Sequence, residues 1–133
     1  MNPSRAAEAP GTPLDQARAL AVRYYTDPQC LANERELVFG RSWQLAAHRG
    51  ELADAGDHVV TEIAGRPILI LRHPDGVLRA FHNVCRHRGN KLVWHDHPFQ
   101  EVQGQAPLLY CKFHGWRYQL DGSLIAPTRK DLL

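Results

Sequence analysis

The sequence predicts a mainly β domain of short antiparallel strands, with two loops rich in cysteine and histidine set among the strands and a short helical segment ahead of them. Three observations carry this. Apolar and β-branched residues recur in short runs separated by turn signals between residues 58 and 81. Two cysteine–histidine clusters, Cys85-Arg86-His87 and Cys111-Lys112-Phe113-His114, follow such runs directly. Helix-start signals are confined to the first forty residues, at Thr12-Pro13 and Asp27-Pro28.

Taken in order, residues 1–11 mix Pro, Ala and Gly with few large apolar groups and are expected to be disordered. Residues 12–41 form the helical segment. Thr12 offers a hydroxyl N-cap, Pro13 suits the first helical position, and Asp15 sits in the first turn. Leu14, Ala17, Ala21 and Tyr24 can share a face. Asp27-Pro28 repeats the start, and Leu31, Arg35, Val38 and Phe39 carry a second helix as far as Gly40. The segment is either a docking arm or a cover for one side of the β domain, and pattern alone favours the cover.

Residues 42–127 form the β domain. Residues 43–47 are a short apolar run at the point where the period changes to that of strands, residues 58–63 are rich in β-formers, and Ala64-Gly65 turns into a nearly continuous apolar strand over 66–72. His73-Pro74-Asp75-Gly76 turns again, and 77–81 returns as the strand that leads into the first cluster. Residues 108–110 deliver Cys111, 116–120 follow His114, and Asp121-Gly122 turns into 123–125. Residues 128–133 read as the start of a linker or the point where a longer chain was cut.

Composition bounds the function. A chain of 133 residues with a net charge of +2 suits one domain, and its charge pattern points to neither nucleic acid nor an acidic membrane surface. The amino terminus lacks the apolar core of a secretion signal, and no apolar run approaches a membrane span. Of three cysteines, Cys30 stands outside the clusters as a half-buried packing residue in a helix. One spare thiol suits a reducing cytoplasm better than a disulfide framework. Arg86, Arg88, Lys91 and Lys112 cluster near the ligand loops, either as solvated loop charges or as a surface that steers an acidic electron-transfer protein.

The chemistry lies in Cys85, His87, Cys111 and His114. Two thiolates and two imidazoles in two tight loops fit a [2Fe–2S] cluster with two sulfur ligands on one iron and two nitrogen ligands on the other. The oxidised core of two ferric ions and two sulfides carries +2, so two thiolates bring it to 0 where four would bring it to −2. Such a site accepts an electron more readily than an all-cysteine one, by at least roughly 250 mV or about 6 kcal/mol. Gly89 and Gly115 follow the two histidines and let backbone approach and turn beside the metal. Two other readings stand beside this one: a Cys2His2 zinc site, whose motifs usually pair Cys with Cys, and buried thiols next to satisfied histidines. His48, His58, His73, His82, His95 and His97 read as surface or satisfied polar groups.

The stretches FHNVCRHRGNKL (residues 81–92) and YCKFHGWRYQLDGSL (residues 110–124) resemble the Rieske domain of the large subunit of Rieske non-haem iron (aromatic ring-hydroxylating) oxygenases, over about residues 25–125. The resemblance implies a Rieske ISP-like antiparallel β fold with two cluster-binding loops. It implies that Cys85 and Cys111 bind one iron and His87 and His114 the other, with Arg88, Gly89, Gly115, Trp116 and Tyr118 close around them. Trp116 and Tyr118 either shield the cluster from water or pack as ordinary strand residues.

The resemblance further implies an oxidoreductase role. A reductase or ferredoxin supplies electrons, and the cluster relays them to a mononuclear iron in a catalytic domain that would begin after residue 133, in the same longer chain, a split chain or a neighbouring subunit. Residues 94–107 depart from the family as an insertion. A respiratory Rieske subunit is a poor match, because its extra loop cysteines would stand where Asn90 and Phe113 are. A stand-alone Rieske-type ferredoxin is the alternative, set back by the helical leader and by the sequences around His87 and His114.

Overall fold

The computed structural model describes residue 13 and residues 19–94 and 102–126. The expected leader at 1–11, the helix start at Thr12, the His95-Asp96-His97 loop and the tail at 128–133 lie outside the described residues. The chain divides into two compact units, Met1–Arg41 and Ser42–Leu133.

In the first unit, α1 (Arg23–Thr26) is a single turn and α2 (Pro28–Leu37) is the only longer helix among the described residues. The expected face through Ala21 and Tyr24 is not formed as one helix, since residues 19–21 are irregular. Pro28 separates α1 from α2. A residue before proline is pushed out of the helical region, and Asp27 takes an extended φ of −87° and ψ of 116°. The same geometry makes Asp27 a good cap, its carboxylate accepting from the Gln29 N–H at 2.8 Å while Pro28 fills the first helical position. The helix ends at Leu37 rather than Gly40, and Phe39–Arg41 tightens into a 3-10 turn. Cys30 is half-buried in α2.

The described residues of the second unit hold seven strands: β1 (Asp57–Ile63), β2 (Arg66–Arg72), β3 (Leu78–His82), β4 (Val102–Gln105), β5 (Leu109–Tyr110), β6 (Arg117–Tyr118) and β7 (Leu124–Ala126). Two antiparallel sheets result, one in the order β3-β2-β1-β4 and the other β5-β6-β7. A two-residue turn at Ala64 (φ 52°) and Gly65 (φ 77°) fixes the β1–β2 register, pairing Ile63 with Arg66 and His58 with Leu71.

One sequence expectation is corrected here. Residues 43–47 form no strand, and Trp43 and Leu45 stand fully exposed, so apolar character alone misled. Residues 48–52 instead form a capped 3-10 turn: the Glu51 carboxylate accepts from the His48 N–H at 2.6 Å, and His48 Nδ1 accepts from the Gly50 N–H at 3.1 Å. Strand β4 lies inside the stretch read as an insertion.

The core joins the two sheets. Leu69 and Leu71 of β2, fully shielded from solvent, pack with Leu92, Leu109, Tyr118 and Leu120, and with Cys85 and Cys111. Burying each leucine is worth about 2 kcal/mol. His58, buried on β1, pairs its Nδ1 with the Gly56 carbonyl at 3.2 Å and is a satisfied core histidine.

Candidate metal centre

The first loop leaves β3 and the second joins β5 to β6, so each sheet contributes one. The two loops share one hydrogen-bond frame. The Cys85 N–H donates to the Asn90 carbonyl at 2.7 Å and the Cys111 N–H to the Trp116 carbonyl at 2.8 Å, each reaching five residues ahead. Gly89 and Gly115, each four residues after its cysteine, donate back to the cysteine carbonyl at 2.9 Å. Both glycines sit at positive φ, 75° and 74°, which closes the turn at a conformation costly for other residues. The histidine is the member that differs, two residues after Cys85 but three after Cys111. The loops therefore present equivalent sulfurs and unequally placed rings.

The sulfurs are buried, Cys85 and Cys111 each 2% exposed. Burial alone would push the Cys111 thiol up. The Phe113 and His114 N–H groups, with the side chains of Cys85 and Asn90, outweigh it and hold the thiol below its ordinary value. The site is built to keep anionic sulfur. Tyr118, 5% exposed, places its hydroxyl 3.2 Å from Cys85 Sγ and accepts from the Arg86 N–H at 3.2 Å. Burial, and then the Cys85 thiol, push its phenol up to about 12, so it stays protonated and donates to sulfur.

The rings of His87 and His114 meet edge to face with centroids 4.7 Å apart. Trp116 stacks on His87 at 4.8 Å with the planes only 2° apart, fixing that ring's orientation. Burial, then His114 and Arg88, hold the His87 imidazole below its ordinary pKa and thus neutral. Its Nδ1 is buried with no hydrogen-bond partner, an arrangement that costs about 1–3 kcal/mol unless a ligand takes the lone pair. Two buried sulfurs, one with its thiol pKa lowered, and an imidazole with an orphaned buried nitrogen are the donors a mixed sulfur–nitrogen iron–sulfur cluster needs. Among the described residues no group of three or more His, Cys, Asp or Glu is placed to hold a single metal ion.

Of the other residues singled out in the sequence, Arg88 is exposed and acts on His87 through its charge. Sequence reasoning missed Asn83, which is 1% exposed. Its Oδ1 accepts from the Leu92 and Val93 N–H groups at 3.1 and 2.9 Å, and its Nδ2 donates to the Val93 carbonyl at 2.6 Å. It ties the end of the first ligand loop back to its beginning. No local motif announces a bond spanning nine or ten residues.

Comparison with known proteins agrees with this geometry. Residues 42–132 match the family model described as the Rieske [2Fe-2S] domain. The chain is 42% identical over 110 residues to the carnitine monooxygenase oxygenase subunit of Escherichia coli (strain K12), covering 82% of this chain and 28% of that protein. It is 36% identical over 107 residues to the biphenyl 2,3-dioxygenase subunit alpha of Rhodococcus jostii (strain RHA1), covering 80% and 22%. Among solved structures, the quaternary ammonium Rieske monooxygenase CntA with gamma-butyrobetaine superposes with a TM-score of 0.74 at 37% identity, over 84% of this chain and 30% of that one. A naphthalene 1,2-dioxygenase superposes with a TM-score of 0.73 at 30% identity, over 82% and 23%. The chain thus spans less than a third of the length of these relatives. With the ligand-loop spacing, the fold and these likenesses in agreement, the chain belongs to the Rieske [2Fe–2S] domain family, as found in the large subunits of Rieske oxygenases.

Proposed function

We propose that this chain is the electron-transfer domain of a Rieske oxygenase, with Cys85 and Cys111 holding one iron and His87 and His114 the other. The single observation that carries the ligand assignment is the buried, unpartnered Nδ1 of His87 packed against His114. When bound there, the cluster supplies a one-electron relay between a reductase or ferredoxin and a mononuclear iron held by residues other than these. The chain's own residues prepare the place. The N–H groups of the second loop and the Tyr118 hydroxyl favour negative sulfur, Trp116 fixes the His87 ring, and the core leucines exclude water from the sulfur side. Both histidines are half-exposed, which puts the nitrogen side nearer to solvent and to partners. A reducing, cytoplasmic setting suits a chain whose three cysteines are free.

Each loop pairs one cysteine with one histidine, which fits two irons with two ligands each better than the Cys-with-Cys pairing usual in zinc sites. The test is the isolated chain reconstituted with iron and sulfide. It is expected to bind about two irons and to give the EPR signal of a reduced Rieske centre. His114→Cys should lower the potential, because the site gains a negative charge; an unchanged potential removes His114 from the ligand set. A colourless protein loaded with zinc overturns the proposal.

A further inference from the structure

Outside the two cysteine–histidine loops, one cavity gathers cations that have no counter-charge. It measures about 590 Å³ and is lined by His48, Arg49, Gly50, Ala53, Arg72 and Gly76, so it lies between the 3-10 turn at 49–52 and the turn that follows β2. No carboxylate lines it. Arg72, half-buried at the end of β2, is tied down on both sides: its Nε donates to the Leu52 carbonyl and its Nη1 to the Gly76 carbonyl, both at 2.7 Å. A guanidinium carries five N–H donors, and the other three have no partner among the described residues. Arg49 is exposed and makes no hydrogen bond or ion pair among the described residues. His48 Nδ1 accepts from the Gly50 N–H at 3.1 Å, so the neutral ring carries its proton on Nε2, a further donor. The carboxylates that could answer these cations are engaged elsewhere. Asp75 pairs with Arg79 at 2.7 Å, Glu51 accepts from the His48 N–H at 2.6 Å, and Asp57 accepts from the Asp54 N–H at 2.7 Å.

We infer that this cavity binds the phosphate group of a small phosphate monoester, with Arg72 and Arg49 as its cationic walls and the Nε2–H of His48 as a neutral donor. The chemistry selects an oxyanion, because the side chains that line the cavity offer donors and their one acceptor, His48 Nδ1, is already taken. Guanidinium forks match phosphate oxygens with parallel N–H bonds. Arg72 is held by two carbonyls before any ligand arrives, so little side-chain freedom is left to lose on binding. Gly50, Ala53 and Gly76 keep the space open, and even a Cβ added at Gly76 would meet nothing within 4 Å. The volume falls within the roughly 300–1,000 Å³ of small-ligand sites, which leaves room for the body of the ester beside its phosphate. A phosphate held there bridges the 3-10 turn and the β2–β3 turn across Arg72. The site shares no residue with the ligand loops, so it stands whether or not the chain carries a cluster.

Titration of the full chain with inorganic phosphate, at ionic strength held constant with sodium chloride, tests the site. Calorimetry is expected to show one saturable site in the millimolar range, and Tm is expected to rise as phosphate replaces chloride. In amide proton–nitrogen spectra, the signals of Gly50 and Gly76 should move over the same concentrations. Arg49→Ala removes no bond within the fold and should weaken binding at least about tenfold, the loss expected for a charge-assisted hydrogen bond. Arg66→Ala is the control: it deletes the same charge at the opposite end of β2, about 20 Å away along the strand, and should leave the affinity unchanged. Glucose 6-phosphate should bind at least as tightly as inorganic phosphate, and acetate several-fold more weakly. Failure to saturate, an Arg49→Ala affinity equal to that of the parent, or an equal loss in Arg66→Ala each overturn the inference. Acetate binding as well as phosphate overturns the choice of phosphate, and weaker binding of glucose 6-phosphate overturns the monoester.

Discussion

Tyr118→Phe isolates one hydroxyl while keeping the ring that packs in the core. That hydroxyl donates to Cys85 Sγ at 3.2 Å and accepts from the Arg86 N–H at 3.2 Å. A hydrogen bond to a charged group is worth about 1.5 kcal/mol at the lower end of its range. It strengthens as an added electron makes the sulfur more negative, so its loss disfavours the reduced state. If between half and all of it is differential, the conversion of 59 mV per 1.4 kcal/mol lowers the potential by roughly 30–60 mV. The Arg86 N–H is left without its acceptor, which adds a destabilisation of about 1 kcal/mol and lowers Tm by roughly 3–6 °C for a chain of this size.

The assays are a spectroelectrochemical titration of the reconstituted chain and a thermal melt. A potential that stays put, or rises, refutes the argument that the phenol donates to sulfur. Alkaline unfolding gives a second check. An unfolded tyrosine ionises near about 10, whereas Tyr118 in the folded chain holds its proton up to about 12. Its contribution to stability is therefore complete below pH 10 and lost as pH rises from 10 to 12. The phenylalanine variant should lack that part of the decline.

Three further outcomes follow from the geometry. Asn83→Ala leaves two loop N–H groups and one carbonyl unpaired and should cost about 3 kcal/mol, read as a lowered Tm together with faster iron loss to a chelator; unchanged iron retention would detach Asn83 from the loop. Ala64→Asn, at a non-glycine φ of 52° in the β1–β2 turn, should stabilise by about 0.5–1 kcal/mol in a denaturant titration, since asparagine tolerates that conformation better; a loss of stability would count against the turn geometry. Asp75 is held well below the usual carboxylate range by Arg79 first and then by the Val77 N–H. Its stabilisation is present above the unfolded carboxylate pKa and fades as pH falls below it, so Asp75→Asn should flatten the acid side of the stability curve slightly. The effect stays small because the pair is exposed to solvent.

Runs of β-branched and apolar residues bounded by turn signals report strands, and β1 and β2 were legible to within a residue for that reason. Strand β4 was not, because Gln103, Gly104 and Gln105 lie exposed and carry no apolar pattern. Residues 43–47 show the opposite error, apolar in sequence yet exposed and unpaired. The four candidate ligand positions could be proposed from residue type and spacing, but not the frame that holds them. Different histidine offsets hide the likeness of the loops, and the shared signal is the glycine four residues after each cysteine. The Asn83 clamp and the Trp116 stack depend on contacts across the fold, which one-dimensional patterns do not encode.

The division of the ligand loops between two sheets has a consequence for assembly. Each sheet alone offers one sulfur and one ring, half of what either iron requires under the proposed ligation. Under that ligation, a bound cluster would tie Cys85 and His87 to Cys111 and His114 and so clasp the two sheets across the seam lined by Leu71, Leu92 and Leu109. A chain stripped of iron should then loosen first along that seam, while the four-stranded sheet keeps its own register.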